Sequence, residues 1–256
     1  MKFKPFHFLT RLKFSAWHLL VCLCIASLIF CFVRFVWFPG KYWNIADGKG
    51  LFLLITGVDI VLGPLITFFT VNLLKSRKER WFDWSCVGAL QIAALAYGLH
   101  TIYIARPAFV VYAIDRFNVV AGADLDKSDL QAAADDRYRK IPFWGPLTVS
   151  TRMPRNPQEK LQLLDDGLKG KDIELQPKFY TAYEQGCTAM KARMRPLADL
   201  RPRNAAPAKR PVVNDLLAAY DTQRYAYLPV VARSDWVAVL DRQSCAIAQF
   251  YPLNGF

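Results

Sequence analysis

Three long apolar runs crowd into the first hundred or so residues, and beyond them the pattern breaks into short apolar stretches separated by turns and charges. The first run, Phe14–Phe38, follows a short basic start carrying Lys2, Lys4, Arg11 and Lys13. It is too long for the apolar core of a cleaved signal peptide. No small-x-small cleavage site follows its exit, Phe35-Val-Trp-Phe-Pro-Gly40, so it reads as a retained helix. The second run is Leu51–Leu74. The third extends from Trp81 or Trp84 to Ile104, and Pro107 stops it. Each run reaches the ~20 residues that a membrane-spanning helix needs. Between the first two, Lys41–Gly50 reads as a short loop. Trp37, Tyr42 and Trp43 suit the membrane–water interface, where amphipathic rings settle.

From residue 106 onward the periodicity is that of a soluble domain. Ala108–Ile114 reads as a strand, Asp126–Lys140 as a helix with acids early and Arg137, Arg139 and Lys140 late, and Pro146–Arg152 as a short strand. Asn156-Pro-Gln-Glu159 is a strong helix start, with a cap residue, Pro at the first position and an acid three after the cap. That helix runs through Leu161, Leu164 and Leu168 to Gly170. The aromatic stretch Gln176–Tyr183 reads as core in preference to surface, and Glu184–Met194 as helix. Arg195–Pro211, rich in Pro, Arg and Ala, reads as a loop or linker, and Val212–Tyr220 as a further helix. Tyr227–Ala232, Trp236–Leu240 and Cys245–Tyr251 have the spacing of an antiparallel meander. The fold class expected is a membrane protein: three N-terminal transmembrane helices (residues 1–105) followed by an α+β domain (residues 106–256).

Charge sets the orientation. Basic residues lie before the first run and in Lys75–Arg80 between the second and third, whereas Lys41 and Lys49 are offset in part by Asp47. The positive-inside rule then places the N-terminus in the cytoplasm. Three crossings put residues 106–256 outside, in the periplasm of a Gram-negative cell. The net charge of +12 has two sources. One is loop charge beside the spans; the other is Lys191–Arg210, where seven basic residues face only Asp199. Such a run is ordinarily a solvated loop, and its sharper reading is a surface for an acidic partner or anionic headgroups. A nucleic-acid partner is not expected.

Polar residues inside the spans narrow the candidates. Asp59 is the only acidic residue deep in an apolar run, where a charge costs ~2.5–3.5 kcal/mol on insertion scales. Arg34 and His100 lie in the same outer half, so an intramembrane cluster of Arg34, Asp59 and His100 is one expectation. The other is that Arg34 snorkels to the interface and His100 faces headgroups. Gly57, Gly63 and Gly88 permit close helix approach. Pro64, with Gly63, is expected to kink the second helix. Cys22, Cys24, Cys31 and Cys86 sit within spans and read as packing residues. Cys187 and Cys245 are the only two outside the spans. In an oxidising compartment they are expected to bridge, the alternative being two buried thiols.

Catalytic constellations are missing. No phosphate-cradling glycine loop, His-Glu-x-x-His or Gly-x-Ser-x-Gly elbow occurs. The three histidines, His7, His18 and His100, all lie in or beside the membrane part. That argues against a triad, a Cys-His pair or a usual zinc site in the outer domain, so no catalytic, cofactor or metal residue is assigned.

Several motifs resemble the type IV pilin accessory proteins of the TfpX/TfpZ kind. They are the second-helix core Gly57-Val-Asp-Ile-Val-Leu-Gly-Pro-Leu-Ile-Thr67, the exit Arg106-Pro-Ala-Phe-Val-Val-Tyr-Ala-Ile-Asp-Arg-Phe117 and the turn Gly170-Lys-Asp-Ile173. The late Tyr227-Leu-Pro-Val230 and Trp236-Val-Ala-Val-Leu-Asp241 complete the set. The resemblance implies a non-enzymatic inner-membrane accessory factor or chaperone. Its expected partners are the major type IV pilin, other inner-membrane pilus assembly proteins and membrane lipids. A membrane-anchored periplasmic sensor or ligand-binding module is the competing class. The short inner loops leave it no cytoplasmic output domain.

Overall fold

The computed structural model describes residues 5–70 and 75–256. Lys2 and Lys4 of the basic start, and the last four residues of the expected second span, lie outside them. The chain forms two compact units, one of residues 1–36 with 48–104 and one of residues 37–47 with 105–256.

The first unit contains three helices long and apolar enough to cross a membrane. Helix α1 is Pro5–Phe32, continued by a wider π turn, Val33–Trp37. Helix α3 is Gly48–Thr70 and helix α4 is Arg77–Ala105, the short α2 being described below with the second unit. Helix α4 starts earlier than the aromatic pair suggested, and the reason is local. Ser76 Oγ accepts from the Glu79 N–H at 3.3 Å, and the Glu79 carboxylate accepts from the Ser76 N–H at 2.7 Å. This reciprocal cap turns most of the expected basic loop, Arg77, Lys78 and Arg80, into the first turn of the helix.

The second unit is built on one mixed sheet. Its strands are β1 (Pro107–Ala113), β2 (Arg116–Ala121), β3 (Leu147–Thr151), β4 (Tyr180–Ala182), β5 (Arg195–Pro196), β6 (Tyr225–Val231), β7 (Trp236–Asp241) and β8 (Ile247–Tyr251). The order is β4-β3-β1-β2-β6-β7-β8, with β5 on the edge of β6. β1 runs parallel to β3 and β2 parallel to β6; the other pairings are antiparallel, so the expected β6-β7-β8 meander is present. All seven residues of β1 are buried, as befits a central strand covered on both faces.

The segment between the first two spans departs most from expectation. Residues 37–47 belong to the second unit, and Tyr42–Ile45 is a short helix, α2, not an interfacial loop. Ile45 is fully buried in a core that contains Phe117, Leu228 and Phe250, and the Tyr42 ring lies 5.6 Å from Phe250. Trp37 is buried beside Arg106, whose guanidinium stands 5.6 Å from its ring and donates to the Phe143 carbonyl at 3.0 Å. The single boundary expected at residue 105 therefore becomes a domain with an inserted strap. Aromatic residues read as an interface belt serve, in part, as core.

Two other expectations change. Asp126–Lys140 is not one helix but α5 (Lys127–Gln131) and a 3-10 turn at Asp136–Tyr138. The Asp135 side chain accepts from the Arg137 N–H at 2.9 Å, a local bond that competes with continued helix. Arg195–Pro211 is not a linker. It supplies β5 and the short helix α8 (Leu200–Arg203), following α7 (Cys187–Arg193), and it buries Leu197 and Leu200 completely. The helix from Asn156 forms as α6 (Pro157–Leu168), with the Asn156 side chain accepting from the Glu159 N–H at 2.8 Å. Paired with Arg152, Glu159 is held at a pKa of about 2. The helix after Pro211 is α9, Arg210–Ala219.

Candidate functional site

The Gly57–Thr67 motif lines an opening among α1, α3 and α4. Thr56, Asp59, Gly63 and Thr67 recur at spacings of three, four and four, so they stack on one face of α3. Ser15, His18 and Cys22 do the same on α1. Where these faces meet, His18 Nδ1 bonds the Thr67 hydroxyl and His18 Nε2 lies 2.8 Å from Gln91 Oε1 of α4. A neutral His18 with its proton on Nε2 donates to Gln91 and accepts from Thr67. Ser15 Oγ donates to the Pro64 carbonyl at 2.7 Å. A Cβ on Gly63 would stand 1.9 Å from Gln91 Nε2 and 3.6 Å from Cys22 Sγ, so only glycine allows α4 to place its amide there. α3 is helical through Gly63-Pro64 without interruption.

Beside this polar knot lies a cleft of about 180 Å³ whose lining includes His18, Cys22, Thr56, Asp59, Gly88 and Gln91. Among the described residues no ion pair joins Asp59 to Arg34 or His100. Arg34 sits in the π turn, 5.5 Å from the Phe35 ring, and His100 is exposed on α4. The structure thus brings Asp59 toward His18 and Gln91, two residues that sequence reasoning passed over. The signal was there: each is a polar side chain well inside an apolar run. Of the glycines expected at helix seams, Gly63 is tightly packed, whereas a Cβ on Gly57 or Gly88 would meet nothing within 4 Å.

In the second unit Cys187 and Cys245 form the expected disulfide, with Cα atoms 5.7 Å apart. The Tyr183 hydroxyl donates to the Cys245 carbonyl at 2.5 Å. Much of the basic segment has structural work to do. Arg195 donates to the Gly255 carbonyl, Lys209 to that of Pro252 and Arg203 to the Tyr227 hydroxyl, which ties the segment to the C-terminal residues. Lys191, Arg193 and Arg201 are exposed. Of the motifs outside the membrane part, Arg106–Phe117 supplies β1 and the start of β2, Tyr227–Val230 lies in β6 and Trp236–Asp241 is β7, whereas Gly170–Ile173 lies off the sheet, in the turn after α6.

The chain is 32% identical over 238 residues to the fimbrial assembly protein, serogroup I, of Dichelobacter nodosus, covering 92% of each chain. It belongs to the fimbrial assembly protein family. The serogroup E1 protein of the same organism is 29% identical over the same share of both chains. The protein of serogroups C1 and C2 is 37% identical over 126 residues, which is 49% of this chain and 96% of that one. No protein-family model and no solved structure matches the chain. Fimbriae are pili, so membership of the fimbrial assembly family bears out the resemblance to pilus accessory proteins.

Proposed function

We propose that this member of the fimbrial assembly family is an inner-membrane accessory factor for type IV pili that acts on the major pilin before or during assembly, with its sheet domain in the periplasm. The similarity over 92% of both chains to a fimbrial assembly protein carries this reading. The layout supports it. Three apolar helices of membrane-spanning length precede the domain, and basic residues lie at the N-terminus and at the α3–α4 junction. Three crossings leave residues 37–47 and 105–256 on one side of the membrane, and these two stretches fold together as one unit. The role is one of binding and positioning: a pilin subunit held in the membrane by an apolar helix with a periplasmic head needs a partner that offers both a helical seam and an outer surface.

A deletion strain tests it. Pilin is expected in the membrane fraction at normal synthesis while sheared surface pili fall several-fold, with recovery on complementation. In-membrane crosslinking of the complemented strain is expected to recover pilin. Normal pili, normal twitching and no pilin crosslink would overturn the reading in favour of a membrane-anchored sensor.

A further inference from the structure

The polar groups inside the first unit are unevenly provided for. His18, Thr67 and Gln91 satisfy one another, and the Thr56 hydroxyl donates to the Phe52 carbonyl at 2.7 Å. Asp59 has neither a hydrogen bond nor an ion pair among the described residues, although a carboxylate in a span normally pairs. It faces the cleft of about 180 Å³, where Gly88 leaves the wall open and Ile92 at the rim is 71% exposed. Counting from Gly48, Asp59 lies eleven residues, roughly 16 Å, into a helix of 23 residues, close to the middle of the span. Among the described residues His18, Thr56, Thr67 and Gln91 each have a partner, and the one acid does not.

We propose that the cleft receives the transmembrane helix of a membrane partner carrying a basic group at mid-membrane depth, and that Asp59 pairs with that group. Charge complementarity selects this occupant. A carboxylate lining an otherwise apolar opening stabilises a cation there and gains nothing from an all-aliphatic helix, which lipid solvates equally well. A basic group on the partner faces the same kind of insertion cost, so each charge offsets the other's penalty. The proposal rests on the reading of the protein as a membrane-embedded assembly factor, and it names where in the membrane a partner would be gripped.

The test uses the full-length protein in phosphatidylcholine vesicles. The probes are two labelled Leu/Ala-rich peptides of about 23 residues, one with Lys and one with Leu at the middle position. Energy transfer is expected to report association about tenfold tighter for the Lys peptide, a difference of about 1.4 kcal/mol. That preference should vanish in Asp59→Leu and persist in Asp59→Glu. Gly88→Leu, which fills the cleft and leaves Asp59 in place, should weaken Lys-peptide binding by a similar factor. Equal binding of the two peptides to the wild-type protein would overturn the proposal. So would undiminished Lys-peptide binding to Asp59→Leu or Gly88→Leu. A Val58→Asp/Asp59→Leu variant that binds as tightly as wild type would show that any acid in the span suffices, and would overturn it too. Because the assay does not depend on piliation, failure here leaves the assembly role standing, and loss of that role leaves this result standing.

Discussion

Breaking the Cys187–Cys245 bond is the perturbation whose size the structure defines best. The link closes a loop of 58 residues that contains α7, β5, α8, α9, β6 and β7, so most of the meander lies inside it. In the chain-entropy treatment, tying two points that far apart in the unfolded chain stabilises the native state by about 4 kcal/mol. For a domain of this size each kcal/mol corresponds to roughly 2–4 °C, so the Cys187→Ser/Cys245→Ser variant should melt about 8–16 °C lower. Replacing both residues avoids leaving a reactive thiol. The assay is thermal unfolding of the full chain in detergent, followed through the tryptophan signal, with reduced wild type as a second arm. Mass spectrometry of unreduced, alkylated protein first establishes that neither of these cysteines takes label. A shift below about 2 °C would refute the reasoning, because it would mean the unfolded chain is already held compact between these positions or that the bond strains the fold as much as it restrains the coil. Alkylation of both thiols in the native, unreduced protein would refute the bridge itself.

Ile45→Ala should destabilise the sheet domain by about 2–5 kcal/mol although it lies between two spans, because Ile45 is fully buried beside Phe117 and Leu228; an unchanged urea midpoint would remove the strap from the domain. Gly63→Leu should lower the amount of protein in membranes, since even a Cβ there meets Gln91, whereas Gly57→Leu, facing open space, should not; immunoblots of the two variants side by side decide it. Acid should weaken the sheet domain through Glu159 and Asp241. Arg152 lowers Glu159 from its ordinary 4.5 to about 2. The Ser244 N–H, with Arg224 and the Gln243 N–H, holds Asp241 well below the carboxylate range. A depressed carboxylate stabilises above its unfolded pKa, so the Glu159 contribution is complete above about pH 4.5 and is lost toward pH 2. Urea midpoints measured across that window should fall less steeply for Glu159→Gln than for wild type.

The features legible in the chain were those that a local pattern specifies. Three apolar runs of spanning length can only be satisfied by helices in lipid, the Asn156 cap starts α6, and short apolar runs spaced by turns in the last thirty residues or so give β6, β7 and β8. The cysteine pair was legible by elimination once the spans were assigned. What tertiary structure decided was which side of a residue meets which neighbour. Trp37, Tyr42 and Ile45 carry the composition of an interface loop, and only the sheet lying beside them turns that loop into core. Leu197 and Leu200 sit among prolines and arginines, and their burial depends on β6 and the C-terminal residues, far off in sequence. Asp59 drew attention from sequence alone, but its choice of neighbours did not follow from depth. Residues at equal depth face different ways around a helix: Gln91 approaches Gly63 and His18 meets Thr67 while Asp59 lines the cleft, a packing that no single run encodes.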